Sequence, residues 1–140
     1  MVIPTNAYAA LRCHGEEAYP EESCGVLAGK MDGPCVTLAI RCDNVRRDSP
    51  RNRYAIDPKE LVRIQRETRD RGMEIVGFYH SHPDHPAEWS STDLAEAHWI
   101  GCSYVITRVA AGVAAETRCF RLEGSWDEKR FVEEEVVFGG

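Results

Sequence analysis

Apolar residues recur at helical spacing from Thr5 to Ala18, where Tyr8, Leu11 and Gly15 share a face and Thr5 or Asn6 can cap the start. Pro20 closes that helix. From Glu22 to Gly29 (ESCGVLAG) the chain becomes apolar over a short run, which predicts a strand. Gly29-Lys30-Met31-Asp32-Gly33 reads as a hairpin connection into a second strand, Cys35 to Cys42. A polar loop from Asp43 to Arg53 carries Arg46, Arg47, Arg51 and Arg53, and Tyr54-Ala55-Ile56 predicts a further short strand. Asp57 as N-cap and Pro58 at the first helical position then start a helix. Leu61, Ile64, Gln65 and Thr68 form its inner face to about Arg71, and Gly72 stops it.

The apolar run from Ile75 to His80 predicts a buried strand that emerges as His80-Ser81-His82-Pro83. After a polar loop, Ser90-Ser91-Thr92-Asp93 opens a helix to about Ile100, with Leu94, Ala97 and His98 on one face and Gly101 at its end. Three more strands follow, at Cys102 to Thr107, Val113 to Leu122 and Phe131 to Phe138, the last two joined across Glu123 to Trp126. Strands interleaved with two or three helices give an α/β or α+β fold, read as a single domain over residues 1–140.

Composition narrows the partners. A net charge of -6 over 140 residues argues against a general nucleic-acid binder, which needs a basic face. The amino terminus lacks a basic region followed by an apolar run, and no stretch is apolar enough to span a membrane. The expected location is therefore cytoplasmic. The six cysteines, Cys13, Cys24, Cys35, Cys42, Cys102 and Cys119, include no C-x-x-C pair and are expected to be mostly buried thiols.

The chemistry concentrates at His80 and His82. Two residues apart on a strand, their side chains leave the same face and can converge on one point. Asp93, in the first turn of the next helix, can add a carboxylate, giving a two-histidine, one-aspartate metal set with an open position. Ser90 and Asp93 alternatively make a capping box, and one carboxylate can serve both roles. His85 lies in a loop bounded by Pro83 and Pro86, so its direction is undetermined, while His14 and His98 read as surface or half-buried residues. A hydrolytic metal also needs a base, and Glu21 and Glu22 stand before the early strand.

Glu22-Ser23-Cys24-Gly25, followed later by His80-Ser81-His82-Pro83, six residues, Ser90, two residues and Asp93, resembles the JAMM (MPN-domain) metalloprotease signature. The resemblance spans essentially the whole chain. It implies a curved, mainly antiparallel sheet flanked by helices, similar to that of cytidine deaminases. It implies zinc on His80, His82 and Asp93, Glu22 as general base and acid, and Ser90 as the hydroxyl that steadies the oxyanion. Glu22 is preferred to Glu21 because it stands two places before Cys24.

The family acts on peptide or isopeptide bonds at the tails of ubiquitin-like proteins. This compact chain is most similar to the small bacterial members that process the C-terminal Gly-Gly of sulfur-carrier proteins. Such a tail can add as a strand to a sheet edge, and the four arginines offer attraction to an acidic carrier. A homodimer remains open, as does any role for the chain's own Gly139-Gly140. The competing readings are a zinc deaminase, whose P-C-x-x-C ligand pair is absent, and a non-catalytic interaction module of the same fold.

Overall fold

Residues 1–139 are described by a computed structural model; Gly140, half of the terminal Gly-Gly pair, lies outside them. In chain order the elements are β1 (Val2–Ile3), α1 (Thr5–Ala18), β2 (Cys24–Lys30), β3 (Cys35–Cys42), α2 (Pro58–Asp70) and β4 (Glu74–Pro83). They continue with α3 (Ser91–Glu96), β5 (Ser103–Ala110), β6 (Val113–Gly124), β7 (Lys129–Glu134) and β8 (Val137–Phe138). The strands form one sheet in the order β7-β6-β5-β4-β2-β3-β1-β8. Its β2–β3, β2–β4, β5–β6 and β6–β7 pairs are antiparallel, whereas β4–β5, β1–β3 and β1–β8 are parallel. Strands β7 and β8 stand at opposite ends of that order yet are separated in sequence only by Glu135 and Val136. So short a connection cannot cross an open eight-stranded sheet. The sheet must curl until its two edges approach.

Alternation along the strands divides the core between the two faces. On one face α1 sends Ala7 and Leu11 against Leu27, Val76, Tyr79 and Val105. On the other, Ile64 of α2 meets Cys24, Val26, Phe78, Tyr104 and Leu122. The register shifts where Leu27 faces Gly77 but Ala28 faces Ile75, leaving Val76 as an extra residue in β4. That bulge sets the phase of everything after it. Tyr79 turns to the α1 face, and His80 turns to the face of α2. Gly25 lies opposite Tyr79, and a Cβ there would stand 2.2 Å from the tyrosine ring, so glycine is what lets the ring lie across β2.

Several expected boundaries move. The start of α1 is held by Pro4, with no side-chain cap from Thr5 or Asn6. Tyr54 to Ile56 is not a strand, and Gln65 is exposed. Strand β4 continues through both histidines to Pro83, because the parallel ladder with β5 extends from Gly77–Ser103 to Pro83–Val109. Helix α3 stops at Glu96 instead of Ile100: Lys129 Nζ takes the carbonyls of Ala95 and Ala97, and Trp99 N donates to Tyr104 Oη. The segment from Phe131 to Phe138 breaks in two, with Met1 N donating to Glu135 O and Val137 N donating to Met1 O as the chain changes edges. Cys24, Cys42, Cys102 and Cys119 are buried free thiols; Cys13 and Cys35 are exposed.

Candidate metal centre

Strand pairing places the acidic residue and the histidines on one face. Cys24 is directly opposite His80, and the ladder continues backwards, since Ser81 N donates to Ser23 O and Ser23 N donates to Ser81 Oγ. Glu22 stands just before that pairing, its N–H donating to Pro50 O, and it lines the same cavity as His82. The expected carboxylate pair separates cleanly: Glu21 is exposed, while Glu22 is 3% exposed and its Oε1 is buried without a hydrogen-bond partner.

His80 Nε2, His82 Nε2 and the Asp93 carboxylate converge. The two nitrogens are 3.2 Å apart, His80 Nε2 is 3.3 Å from Asp93 Oδ1, and His82 Nε2 is 3.1 Å from Asp93 Oδ2. Atoms held roughly 2.0–2.1 Å from one tetrahedral zinc stand about 3.3 Å from each other. The donor set also has the right character. His82 Nδ1 donates to the Pro86 carbonyl at 2.9 Å, which leaves Nε2 as the ring nitrogen directed at the trio. Burial lowers the His80 pKa, against the opposing pull of the Asp93 charge and contact. Two ring nitrogens and a carboxylate, all able to donate a lone pair, gather within 3.3 Å of one another. The residues present fit a divalent ion.

Asp93 is held by the helix it starts. Ser90 N donates to Asp93 Oδ2 at 2.9 Å and Asp93 N donates to Ser90 Oγ at 3.0 Å, a complete capping box. The cap and the convergence on the histidines therefore coexist in one carboxylate. Burial by itself would raise the Asp93 pKa, but the charge and contact of His80, the contact from His82 and the Ser90 N–H outweigh it and hold the carboxyl well below its usual range. Glu22 behaves oppositely. Burial first, then repulsion from Asp93 and Glu96, pushes it up to about 9.

Two cavities flank the trio. A cleft of about 540 Å³ is walled by Glu22, Arg53, His82, His85, Trp89 and Ser90, among others. A second cavity of about 280 Å³, on the Asp93 side, is lined by Tyr54, Phe78, Trp99 and Tyr104, and Arg53 and Thr92 border both. His85 is thus in the cleft wall but outside the trio. His98 is exposed at the second cavity, and His14 lies on the opposite face, its Nδ1 2.7 Å from Tyr79 Oη. Sequence reading missed the Tyr54 ring stacked on His80 at 4.5 Å and the Pro86 carbonyl that orients His82. It grouped Arg53 with its loop neighbours. Arg46 is instead tied to Asp48 and Glu96. Tyr54 carries no local signal, because its partner is 26 positions away in the sequence.

Similarity to known proteins follows the same segments. Residues 4–123 match the family described as prokaryotic homologs of the JAB domain. The chain belongs to this family. A desampylase of Haloferax volcanii is 45% identical to it over 87 residues, 62% of this chain and 62% of that protein. The match thus spans less than two thirds of that relative's own length. A CysO-cysteine peptidase of Mycobacterium tuberculosis is 30% identical over 122 residues, 87% of this chain and 82% of that protein. Among solved structures, protein DSY2949 of Desulfitobacterium hafniense superposes with a TM-score of 0.81 at 26% identity, covering 98% of this chain and 91% of that one.

Proposed function

We propose that this JAB-family chain is a zinc-dependent hydrolase. It cleaves the peptide or isopeptide-type bond that follows the C-terminal Gly-Gly of a ubiquitin-like sulfur-carrier protein. The observation that carries the reading is Glu22: a buried carboxyl with an unpartnered oxygen, walling the same cleft as His82 and Ser90. A buried polar group without a partner costs about 1–3 kcal/mol, so its place beside three converging acceptors calls for a functional reason. The names of the two relatives, a desampylase and a CysO-cysteine peptidase, support the choice of substrate.

His80, His82 and Asp93 hold the ion. A divalent zinc in such a set supplies Lewis acidity and lowers the pKa of water within its reach. Glu22 accepts a proton from the attacking water and delivers it to the leaving nitrogen. The water oxygen joins the glycyl carbonyl carbon as the carbon–nitrogen bond breaks, leaving a carboxylic acid and an amine. Ser90 Oγ already accepts the Asp93 N–H, so its own hydrogen is available to the oxyanion that forms as the carbonyl is attacked. Without a cation Glu22 stays protonated at neutral pH; a nearby double positive charge offsets the Asp93 repulsion and favours the ionised carboxylate that a base must be.

The test is incubation of the zinc-supplemented protein with a ubiquitin-like carrier extended beyond Gly-Gly, read by mass. Loss of the extension is expected with the natural chain and not with Glu22→Gln. Cleavage surviving in Glu22→Gln removes Glu22 from its role, and zinc binding with no cleavage of any extended carrier favours the interaction module.

A further inference from the structure

Arg53 occupies a singular place in the cleft. Among the described residues lining either cavity it is the one lysine or arginine, and it borders both. The remaining charged walls are acidic: Glu22 and Glu88 in the cleft, Asp93 and Glu96 in the aromatic cavity. Its guanidinium has only a loose partner in Asp48, 3.8 Å away, and Asp48 is engaged more closely by Arg46 at 2.8 Å. Arg46 also takes Glu96, at 2.7 Å. Arg53 is thus a cation whose local acids are largely committed elsewhere.

Its position relative to Glu22 is fixed by a single amide. Asn44 Nδ2 donates both to Glu22 O at 3.2 Å and to Arg53 O at 3.1 Å, so one nitrogen clamps the two backbones together. Asn44 Oδ1 in turn accepts from the N–H groups of Arg46 and Ala55, on either side of the loop. Ser49 O accepts the Arg53 N–H, closing the turn that presents the side chain. The loop ties together the backbones of the two residues that bring a positive charge and a buried carboxyl to one cleft.

That pairing has a chemical reading, which rests on the hydrolase proposal above. Glu22 protonates the leaving nitrogen, so the leaving group must lie on its side of the cleft. In a single amino acid the carboxylate carbon is about 2.5 Å from that nitrogen, given standard N–Cα and Cα–C bonds. A cation tied to the Glu22 backbone suits such a carboxylate. In a lysine isopeptide the leaving nitrogen ends a four-methylene stem with no carboxylate near it. We infer that Arg53 binds the α-carboxylate of a leaving residue and makes the cleft specific for one amino acid, free at its C-terminus, joined after Gly-Gly. The neighbouring cavity of aromatic side chains receives the side chain of that residue.

Two peptides ending in Gly-Gly-Ala, one with a free carboxylate and one with a carboxamide, test this. Their affinities are measured by fluorescence anisotropy on the zinc-loaded Glu22→Gln protein, and their cleavage by mass on the natural chain. The acid should bind roughly 10- to 100-fold more tightly than the amide, the span of one charge-assisted contact. Adding Arg53→Gln should bring that ratio close to one, while Arg53→Lys should keep part of it. A ratio unchanged by Arg53→Gln, as expected if the carboxylate sits on the metal, overturns the inference, as does absence of any preference or of any binding. Carboxylate-dependent binding through Arg53 without cleavage would leave the inference standing and overturn the hydrolase reading.

Discussion

Tyr79 and His80 are consecutive in β4 and point to opposite faces of one sheet, and each face has solved a buried histidine differently. On the α1 face, His14 Nδ1 meets Tyr79 Oη at 2.7 Å, a pair of one ring nitrogen and one hydroxyl. On the other face, His80 meets His82 and Asp93, while its own Nδ1 and the Oε1 of Glu22 have no partner. Both regions are buried and both lie beside the same strand. The difference is composition: the first pairs one ring nitrogen with one hydroxyl, and the second gathers three groups that could hold a cation, beside a buried carboxyl oxygen with no partner. A buried polar cluster that balances its own hydrogen bonds reads as structure, and one that does not reads as a site.

The largest effect that would sharpen this contrast is on turnover. Glu22→Gln should lower kcat on an extended carrier by about 10²- to 10⁴-fold, the usual contribution of a positioned acid–base group. Tyr79→Phe should leave the metal dependence of turnover unchanged. Ser90→Ala should cost about 10²- to 10³-fold in kcat. It should also destabilise the fold by about 1 kcal/mol through loss of the α3 cap, measured by urea unfolding. Zinc at about 100 times its dissociation constant should stabilise the protein by about 2.7 kcal/mol, a gain abolished in His80→Ala and retained in His14→Ala. Tyr79→Phe should destabilise by about 1–3 kcal/mol with or without zinc, because it leaves His14 unpaired.

The pH dependence separates His14 from Glu22 by sign. Burial lowers the His14 pKa to about 4 from an ordinary 6.5. Its folded form binds fewer protons than the unfolded chain between those values, so its contribution is present above pH 6.5 and lost as pH falls towards 4. Glu22, raised to about 9 from 4.5 by burial and then by Asp93 and Glu96, holds a proton that the unfolded chain has released. Metal-free stability on its account falls as pH rises through that window. Chemical unfolding across pH should show Glu22→Gln removing the decline that accompanies rising pH between 4.5 and about 9, and His14→Gln reducing the acid one, to which His80 and Asp93 also contribute.

Much of this arrangement was legible in the sequence, for reasons that differ by element. Helix α1 and strand β3 have the expected limits because each is specified by its own periodicity and flanking breakers. Helix α2 begins where Asp57 and Pro58 place it, with Asp57 accepting from Lys59 N. The alternation of a strand was enough to put His80 and His82 on one side, and the three-residue spacing from Ser90 to Asp93 was enough to see a capping box. What stayed hidden depends on contacts between distant segments. The last turn of the expected third helix is undone by Lys129 and Tyr104, neither visible from Ser90 to Ile100. The bulge at Val76, the two-residue strand β1 and the split between β7 and β8 arise from pairing across the curled sheet. Arg53 looked like one of four loop arginines, and only the folded loop separates it from Arg46, which is neutralised by Asp48 and Glu96.

The central claim is that the second face holds one cation between His80, His82 and Asp93. Zinc titration followed by calorimetry, on the natural chain and on Asp93→Ala and His14→Ala, measures it directly. The account predicts one zinc per chain for the natural and His14→Ala proteins and loss of that binding in Asp93→Ala. Equal zinc binding by Asp93→Ala, or none by the natural chain, would contradict it.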